Sequence, residues 1–348
     1  MKVLELFSGI GGMHFACKEA TEDLEVVAAV EINPVANEVY RSNFPSTKLL
    51  QKNIQSLTSN AINKLAPEVI LMSPPCQPFT RNGLKRDLDD DRTNPLQHII
   101  TLLPHLETVR YLLVENVKGF ETSEARSILI DCLKNLKFHC QEFILSPTQF
   151  GVLNTRHRYY LLAKLSGFSF QTTSHVMQSL PLCNQYKAEP FKCLSTSCKK
   201  IEDILDCMDE TTDVYKSHLV PLKSLMKHVH VLDIVTKDCQ RSCCFTKSYS
   251  HYLEGTGSVF SNLNKEKVRI LLDKCKEIQG KDLEDNLAAL NLRFFTPTEI
   301  SRLMCFPRHR FQFPGATSEK QQYRLLGNSI NVFVVSKLIE LLLENKEI

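Results

Sequence analysis

The chain has 348 residues, 43% hydrophobic and 23% charged, with a net charge of +3. This composition is typical of a globular protein with a sizeable core and excludes a disordered or collagen-like chain. No apolar run approaches the length of a membrane span, and the N-terminal residues lack the features of a secretory signal, so we expect a cytoplasmic protein, with a nuclear location also open. Thirteen cysteines, an odd number, then favour free thiols over a disulfide framework.

The first half of the chain alternates short apolar runs with helix-like segments. Strand candidates are 3–6, 26–30, 48–50, 69–72, 111–114, 138–145 and 159–163, and helix candidates are 12–20 and 94–107. Buried strands that alternate with helices predict an α/β fold, a doubly wound, mostly parallel Rossmann-like sheet.

The pattern changes after about residue 165. Residues 166–250 are rich in Ser, Thr, Cys and Lys, and 264–292 are charged and helix-like. Thr296 is placed to cap a helix that begins at Pro297, and 331–345 form a strongly apolar helix candidate. We therefore predict a catalytic domain of residues 1–165 and 320–348 and a smaller, loop-rich target-recognition region of residues 166–319.

A glycine-rich turn in LELFSGIGGMHF joins the first strand to the first helix. Gly9, Gly11 and Gly12 allow the backbone to turn sharply and approach a ligand. Glu31 ends the next strand, where an acidic side chain can accept hydrogen bonds from ribose hydroxyls. The loop is not GxGxxG, so it suits S-adenosylmethionine at least as well as a dinucleotide. Asn53 and Ile54 follow the third strand candidate, where we expect the adenine ring.

The stretch SPPCQPF, residues 73–79, holds Cys76 among three prolines after a buried strand. Proline restricts its own φ and disfavours helix in the residue before it, so the loop is stiff. Such a loop suits a nucleophile, although a rigid turn with an incidental cysteine explains it equally well. Basic runs at 85–86, 156–158, 199–200 and 308–310 form nucleic-acid contacts only if the fold gathers them.

Five motifs occur in order along the chain: FSGIGG, SPPCQPF, ENVKGF, QFGV with NTRHRYY, and RLLGNSIN. Together they resemble the cytosine-5 methyltransferase family over nearly the whole chain. CCFTK at 243–247 and HYLEGTGSVF at 251–260 further resemble the branch that methylates a cytosine in the anticodon loop of tRNA, chiefly aspartate tRNA.

The resemblance implies roles for individual residues. Cys76 would add to C6 of cytosine, and Glu115, expected just after a strand, would donate a proton at N3. Arg158 would contact the base and Arg156 the cysteine, both from one face of a strand, with His157 pointing the other way. The implied cofactor residues are Phe7, Ser8, Gly9, Ile10, Gly11, Gly12, Glu31, Ile32, Asn53, Ile54, Ser73, Asn328, Ser329 and Val332. The implied substrate residues are Gln77, Arg81, Asn116, Cys244, Phe245 and Thr246. The charged stretch 81–94 resembles the family's active-site loop.

Several other readings compete with this one. A DNA cytosine-5 methyltransferase shares every implied catalytic residue, and a catalytically silent nucleic-acid-binding module would share the fold. The glycine loop does not support an NAD-dependent oxidoreductase, because it lacks the GxGxxG pattern. A zinc module would draw on seven cysteines with no CxxC pair, Cys183, Cys193, Cys198, Cys207, Cys239, Cys243 and Cys244, and we expect no metal. The expected partner is the anticodon stem-loop of aspartate tRNA, with weak DNA binding open, and we expect a monomer.

Overall fold

The computed structural model describes residues 1–75, 93–181 and 200–344. In this part of the chain, seven strands form the main sheet: β1 (Lys2–Leu6), β2 (Glu25–Glu31), β3 (Lys48–Gln51), β4 (Val69–Met72), β5 (Tyr111–Val117), β6 (His139–Leu145) and β7 (Arg158–Lys164). Their order is β3-β2-β1-β4-β5-β7-β6. Only β7 runs antiparallel to its neighbours, so the predicted mostly parallel α/β fold is confirmed.

Helices cover both faces of this sheet. The helices of the first half are α1 (Gly12–Ala20), α2 (Pro34–Asn43), α3 (Ser59–Asn63), α4 (Asn94–Leu102) and α5 (Glu124–Asn135). Buried side chains of α1 and α2 belong to one apolar cluster, and those of α4 and α5 belong to the cluster on the other face. Alternate residues of β1 divide between the two clusters, as expected for a strand buried on both sides.

The second half of the described chain builds a smaller sheet. Its strands are β8 (Asp233–Val235), β9 (Ser258–Ser261) and β10 (Leu292–Phe294), in the order β10-β9-β8. Around it lie α6 (Asp213–Ser217), α7 (Leu222–His228), α8 (Lys265–Lys274), α9 (Gly280–Ala289) and α10 (Pro297–Leu303). The chain then returns through α11 (Glu319–Gly327) and α12 (Val332–Leu343), and α12 packs against α1.

Helix ends follow the local sequence closely. Thr296 caps α10 as predicted, and its hydroxyl and the Glu299 carboxylate form a capping box. The helix expected over 94–107 ends at Leu102, because Pro104 permits only a short 3-10 turn at Leu103–His105. The segment 264–292 is two helices rather than one, since α9 begins at Gly280, whose φ of 61° lies in the left-handed region.

The segment Glu319–Leu343 is long and apolar enough to cross a membrane, but 72% of its most apolar window is buried inside the fold. Nine residues of α12 are buried, which identifies it as a core helix of this domain.

The chain reverses its direction across the sheet between β1 and β4. In open α/β sheets, ligands bind in the crevice at such a switch point, beyond the carboxyl ends of the strands. The glycine loop follows β1 at this edge, and Ser73, Pro74 and Pro75 follow β4. The topology therefore brings the first two sequence motifs together.

Candidate active site

A cavity of about 290 Å³ lies at this edge of the sheet. Its lining combines the glycine loop, the end of β2, the Ser73–Pro75 segment, Glu115, both arginines of the NTRHRYY motif and the RLLGNSIN motif. Its size is near the lower end of the range for small-molecule sites. Residues from all five motifs, far apart in the sequence, thus share one concave surface.

The glycine loop forms the first end of the cavity. Gly9 has φ of 52° and Gly11 has φ of 83°, conformations that side-chain-bearing residues rarely adopt. A Cβ on Gly12 would stand 2.8 Å from Cγ1 of Ile330, so only glycine lets the RLLGNSIN segment approach the loop this closely. The Ser8 amide donates to the Val30 carbonyl at 3.1 Å, which fixes the loop against β2.

Glu31 is held in place by two backbone amides. Its Oε2 accepts from the Gly9 amide at 3.0 Å, and its Oε1 accepts from the Asn33 amide at 2.8 Å. Ile32, next to it, is 62% exposed and lines the same cavity. A fixed carboxylate beside an exposed apolar side chain suits a ribose and an adenine ring.

One buried polar group at this end lacks a purely structural explanation. The Ser8 hydroxyl lines the cavity, is buried, and has no hydrogen-bond partner among the described residues. Buried polar atoms normally have a partner, so this one fits a polar ligand. Together with the close approach of the RLLGNSIN segment at Gly12 and the oriented Glu31 carboxylate, it matches what an adenosine-containing cofactor requires.

Glu5, in the middle of β1, also lines the cavity and was not singled out by the sequence. Its Oε2 accepts from the Tyr40 hydroxyl at 2.9 Å, and the Tyr40 hydroxyl oxygen also lies 2.8 Å from Nδ1 of His14. Burial raises the pKa of Glu5 to about 8, although the Tyr40 hydrogen bond opposes this rise. The only signal in the sequence was a charged residue inside an otherwise apolar strand.

Glu115 and Arg158 form the second end of the cavity. Arg158 Nε lies 3.3 Å from Glu115 Oε1. Burial raises the pKa of Glu115 above its ordinary value, and the nearby Arg158 and Arg156 guanidinium groups offset part of that rise. A carboxyl group in this setting keeps its proton to higher pH than an exposed one, which suits a proton donor.

Two details of the predicted arginine and glutamate geometry are wrong. Glu115 lies inside β5, which continues to Val117, rather than after the strand. Arg156 precedes β7, which begins at Arg158, so the two arginines do not alternate along one strand. The Arg156 amide instead donates to the Ser146 hydroxyl at 3.2 Å, which holds it outside the sheet ladder.

Arg156 is 3% exposed and ties three segments together. Its guanidinium donates to the carbonyls of Phe245 at 3.0 Å and Gly327 at 3.1 Å, and also to that of Ser329. Side-chain donors that satisfy buried carbonyls of remote segments stabilise the fold around them. Arg156 therefore positions the rear of the cavity, whereas Arg158 points its charge at Glu115.

Cys244 lies beside both arginines. Its Sγ is 3.5 Å from Arg156 Nη1 and 4.0 Å from Arg158 Nη2. Burial raises the pKa of this thiol, but the two guanidinium groups outweigh burial and lower it below its ordinary value. The CCFT stretch, which the resemblance linked to the substrate, thus borders the Glu115 end of the cavity.

Most of the predicted residues that the structure describes are brought together, but some are not. Asn53, Ile54, Gly11 and Val332 do not line the cavity: Asn53 caps a short 3-10 turn, Ile54 and Val332 are buried in the core, and Gly11 faces Phe44. Cys244, Phe245 and Thr246 do not line the cavity either, although Cys244 contacts the two arginines that do. His157, expected to point away from the arginines along a strand, is exposed and precedes β7.

Asn116 connects β5 to the proline segment. Its amide donates to the Pro74 carbonyl at 3.4 Å, two residues before Cys76. Cys76, Gln77, Arg81 and most of the loop 81–94 lie outside the described residues. Pro75, the last described residue before them, lines the cavity.

No group of three or more metal-binding side chains occurs within residues 1–75, 93–181 and 200–344. Three of the seven cysteines considered as zinc ligands, Cys183, Cys193 and Cys198, lie outside these ranges. The absence of a metal site therefore stays a prediction from the sequence.

Comparison with known proteins decides the family. The family model for C-5 cytosine-specific DNA methylase matches residues 1–344. The chain belongs to the C-5 cytosine methylase family. Enzymes of this family use S-adenosylmethionine as the methyl donor.

Relatives of this C-5 cytosine methylase include proteins named for tRNA and for DNA. The "tRNA (cytosine(38)-C(5))-methyltransferase" of Spodoptera frugiperda is 45% identical and covers 99% of each chain. A "DNA (cytosine-5)-methyltransferase" of Dictyostelium discoideum is 35% identical and covers 100% of this chain and 95% of the relative. A crystal structure of a mutant Spodoptera frugiperda DNMT2 superposes with a TM-score of 0.86 at 45% identity, over 99% of each chain.

Proposed function

We propose that this chain transfers a methyl group from S-adenosylmethionine to C5 of a cytosine in the anticodon loop of tRNA, chiefly aspartate tRNA. The observation that carries the proposal is Glu115, a buried carboxyl of raised pKa, in the same cavity as the glycine loop and Glu31. One end of the cavity suits adenosine, and the other end suits a pyrimidine whose ring nitrogen must be protonated.

Carbon 5 of cytosine is a poor nucleophile until a group adds at C6. In our proposal the Cys76 thiolate forms the S–C6 bond, and the displaced electrons move toward N3, where the Glu115 carboxyl donates its proton. Arg158 orients both the Glu115 carboxyl and the base. S-adenosylmethionine supplies the electrophilic methyl group that C5 then takes. A base then removes the C5 proton, the returning electrons expel the Cys76 thiolate, and the N3 proton goes back to the Glu115 carboxylate, so the enzyme and the aromatic ring are both restored.

The cofactor-binding group in this proposal is the set that lines the first end of the cavity. Glu31 would accept the ribose hydroxyls, Ile32 would contact the adenine ring, and the Ser8 hydroxyl would gain the partner it lacks. Asn328 and Ser329 line the cavity where the chain returns to the glycine loop. Asn53 and Ile54 are left out of this set because they lie away from the lining.

The choice of tRNA rests on the named function of the Spodoptera relative and on the CCFT and YLEGTGSV stretches. Bases of an anticodon loop are already partly unstacked, which lowers the cost of bringing one into a cavity. In this proposal residues 166–319 recognise the target, and the enzyme acts as a cytoplasmic or nuclear monomer. The Dictyostelium relative favours a second candidate, cytosine-5 methylation of DNA by the same residues.

Methyl transfer from labelled S-adenosylmethionine to aspartate tRNA and to duplex DNA, side by side, tests the proposal. Three proteins are compared: the natural chain, Cys76→Ala, and Cys207→Ala, which removes an exposed cysteine that does not line the cavity. We expect the natural chain and Cys207→Ala to label aspartate tRNA, and Cys76→Ala not to label it. We expect no label in a tRNA whose cytosine 38, the position in the name of the Spodoptera relative, is replaced by uridine. Label mainly in DNA would establish the second candidate, and label unaffected by Cys76→Ala would overturn the mechanism.

A further inference from the structure

An exposed aromatic pair lies on the loop that follows the CCFT stretch. We call residues 246–257 the tyrosine loop. Tyr252, on this loop, is 63% exposed, and in the part of the chain that the structure describes no other tyrosine or phenylalanine has an exposed side chain. The ring of His251, also an exposed residue, meets the Tyr252 ring edge to face at a centroid distance of 4.8 Å. Tyrosine is enriched where proteins contact partners, so this position suits an interaction surface.

Backbone hydrogen bonds hold the tyrosine loop in one shape. The amides of His251 and Tyr252 donate to the Ser248 carbonyl at 3.1 and 3.0 Å. The Thr256 hydroxyl donates to the Tyr252 carbonyl. At the base of the loop, the Thr246 amide donates to the Thr256 carbonyl at 2.9 Å. The aromatic pair therefore has a fixed position relative to the loop that carries it.

A buried tyrosine anchors the same loop to the small sheet. The Tyr249 hydroxyl donates to the Ser258 carbonyl at 2.7 Å and accepts from the Phe295 amide at 2.9 Å. Ser250, the next residue, has φ of 67°, a conformation that a residue with a side chain adopts only where its surroundings impose it. A loop that is already ordered loses little conformational entropy when a partner binds.

The tyrosine loop begins at the end of the cavity where the base would bind. Cys244, just before the loop, contacts Arg158, whose Nε lies 3.3 Å from Glu115 Oε1. Gly327 lines the cavity, and a Cβ on it would overlap the Lys247 amide nitrogen. The backbone of the loop thus packs directly on one wall of the cavity.

The exposed ring is only a few nucleotides from that wall. The hydrogen bond from the Tyr252 amide to the carbonyl of Ser248 limits the distance between the Cα atoms of Tyr252 and Lys247 to about 11 Å. A stacked nucleotide occupies about 3.4 Å along a strand. A nucleic acid that places one base beside Glu115 therefore has neighbouring bases within reach of the aromatic pair.

We propose that Tyr252 stacks on an unpaired base of the tRNA anticodon loop, a neighbour of the cytosine that reacts, and that His251 supports its ring from the side. This inference rests on the proposed tRNA function. Every base has a π-face, so an aromatic ring binds single-stranded nucleic acid with little sequence preference. Bases within a duplex are already paired and stacked on each other, and they offer this ring no free face. The tyrosine loop thus favours an anticodon loop over duplex DNA.

A single tryptophan tests the stacking directly. The chain has no tryptophan, so Tyr252→Trp introduces the only indole and keeps a ring that can stack. We expect unmodified aspartate tRNA to quench its fluorescence on binding, and duplex DNA to leave it unchanged. The matched control is Ile270→Trp, at an exposed position of α8 that does not line the cavity, and its fluorescence should not respond.

Removal of the ring should weaken tRNA binding without changing its salt dependence. Affinity is measured by fluorescence anisotropy from low to high salt. We expect Tyr252→Ala to bind about five- to a hundredfold more weakly, the range found for loss of one stacked base. The salt slope should stay the same, because a stacked ring releases no counterions. Tyr252→Phe and the control Ile270→Ala should keep the natural affinity.

Thermal unfolding and S-adenosylmethionine binding of Tyr252→Ala report whether the fold and the cofactor end of the cavity remain intact. Natural tRNA affinity in Tyr252→Ala, or bound tRNA that does not quench Tyr252→Trp, would overturn the inference. A smaller salt slope in Tyr252→Ala would also overturn it, since that result identifies a phosphate contact. Because binding is measured without methyl transfer, a chain that stacks tRNA on Tyr252 but methylates only DNA would refute the proposed function and leave this inference standing.

Discussion

The two ends of the central cavity are built in different ways. At the cofactor end, one continuous stretch, 7–13, forms much of the lining. Glu31 is oriented there by hydrogen bonds from the Gly9 and Asn33 amides. At the other end, side chains from β5, the start of β7, the CCFT stretch and the RLLGNSIN motif meet, and Arg156 and Arg158 join them. Changes at the first end should therefore affect affinity, and changes at the second end should affect chemistry or folding.

The largest expected effect separates the two ends directly. Glu115→Gln removes the proposed proton donor, so methyl transfer should fall by about 10²- to 10⁴-fold. S-adenosylmethionine affinity should remain unchanged. The exposed Glu107 provides a matched control as Glu107→Gln, which should keep full activity. Steady-state kinetics and calorimetric cofactor binding on the three proteins check this, and a cofactor defect in Glu115→Gln would mean that the two ends are not independent.

The pH dependence of the methyl-transfer rate tests whether Glu115 acts as the proton donor. Because burial raises the pKa of Glu115, its protonated form persists to higher pH and is lost as pH rises through that raised value. The rate should fall over that range. Arg158 holds the pKa of Glu115 down, so Arg158→Met should move the falling limb to higher pH. A limb that stays in place would show that Glu115 does not govern it.

The next effect distinguishes the two arginines by stability. Arg156→Met leaves buried carbonyls of Phe245, Gly327 and Ser329 without donors, so we expect the free energy of unfolding to drop by about 3 kcal/mol. Arg158→Met should cost about 1 kcal/mol or less, because its carboxylate partner becomes neutral more easily. Denaturant unfolding of both variants measures the difference. Equal losses would remove the distinction between a positioning arginine and a site arginine.

A smaller effect is expected at the cofactor end. Glu31→Gln keeps the shape of the side chain but weakens hydrogen bonds that a carboxylate accepts, so S-adenosylmethionine should bind about tenfold more weakly. The maximal rate at saturating cofactor should change little. Binding and kinetics measured on one preparation check this. A large loss in maximal rate with normal affinity would contradict the division between the ends.

The smallest effect concerns Glu5, beneath the cofactor loop. Its folded pKa of about 8 exceeds the ordinary value of 4.5, so its stabilising contribution is complete below about pH 4.5 and is lost as pH rises toward 8. The free energy of unfolding should therefore fall across that window, and Glu5→Gln should remove at least about 1 kcal/mol of the fall. Unfolding of both proteins at pH 5 and pH 8 measures it. Parallel pH profiles would show that Glu5 ionises normally.

Local sequence determined much of this protein. Short apolar runs placed all seven strands of the main sheet to within about three residues, since buried parallel strands need continuous apolar sequence. Thr296 and Pro297 marked the start of α10, and Pro104 explains why α4 stops early. The glycine loop and Glu31 were found because a tight turn and an acidic strand end depend on few neighbouring residues.

Tertiary structure alone decided the rest. Nothing in the sequence indicated that Glu5 lines the cavity or that Arg156 donates hydrogen bonds to three backbone carbonyls. Nor did it indicate that Asn53 and Ile54 lie away from the lining. A cavity between α1 and the turn after α10 likewise exists only because folding sets Lys18 opposite a turn nearly three hundred residues later. Side-chain burial, hydrogen-bond partners and local charge density depend on residues remote in sequence, and these contacts, rather than local propensity, determine what a residue can do.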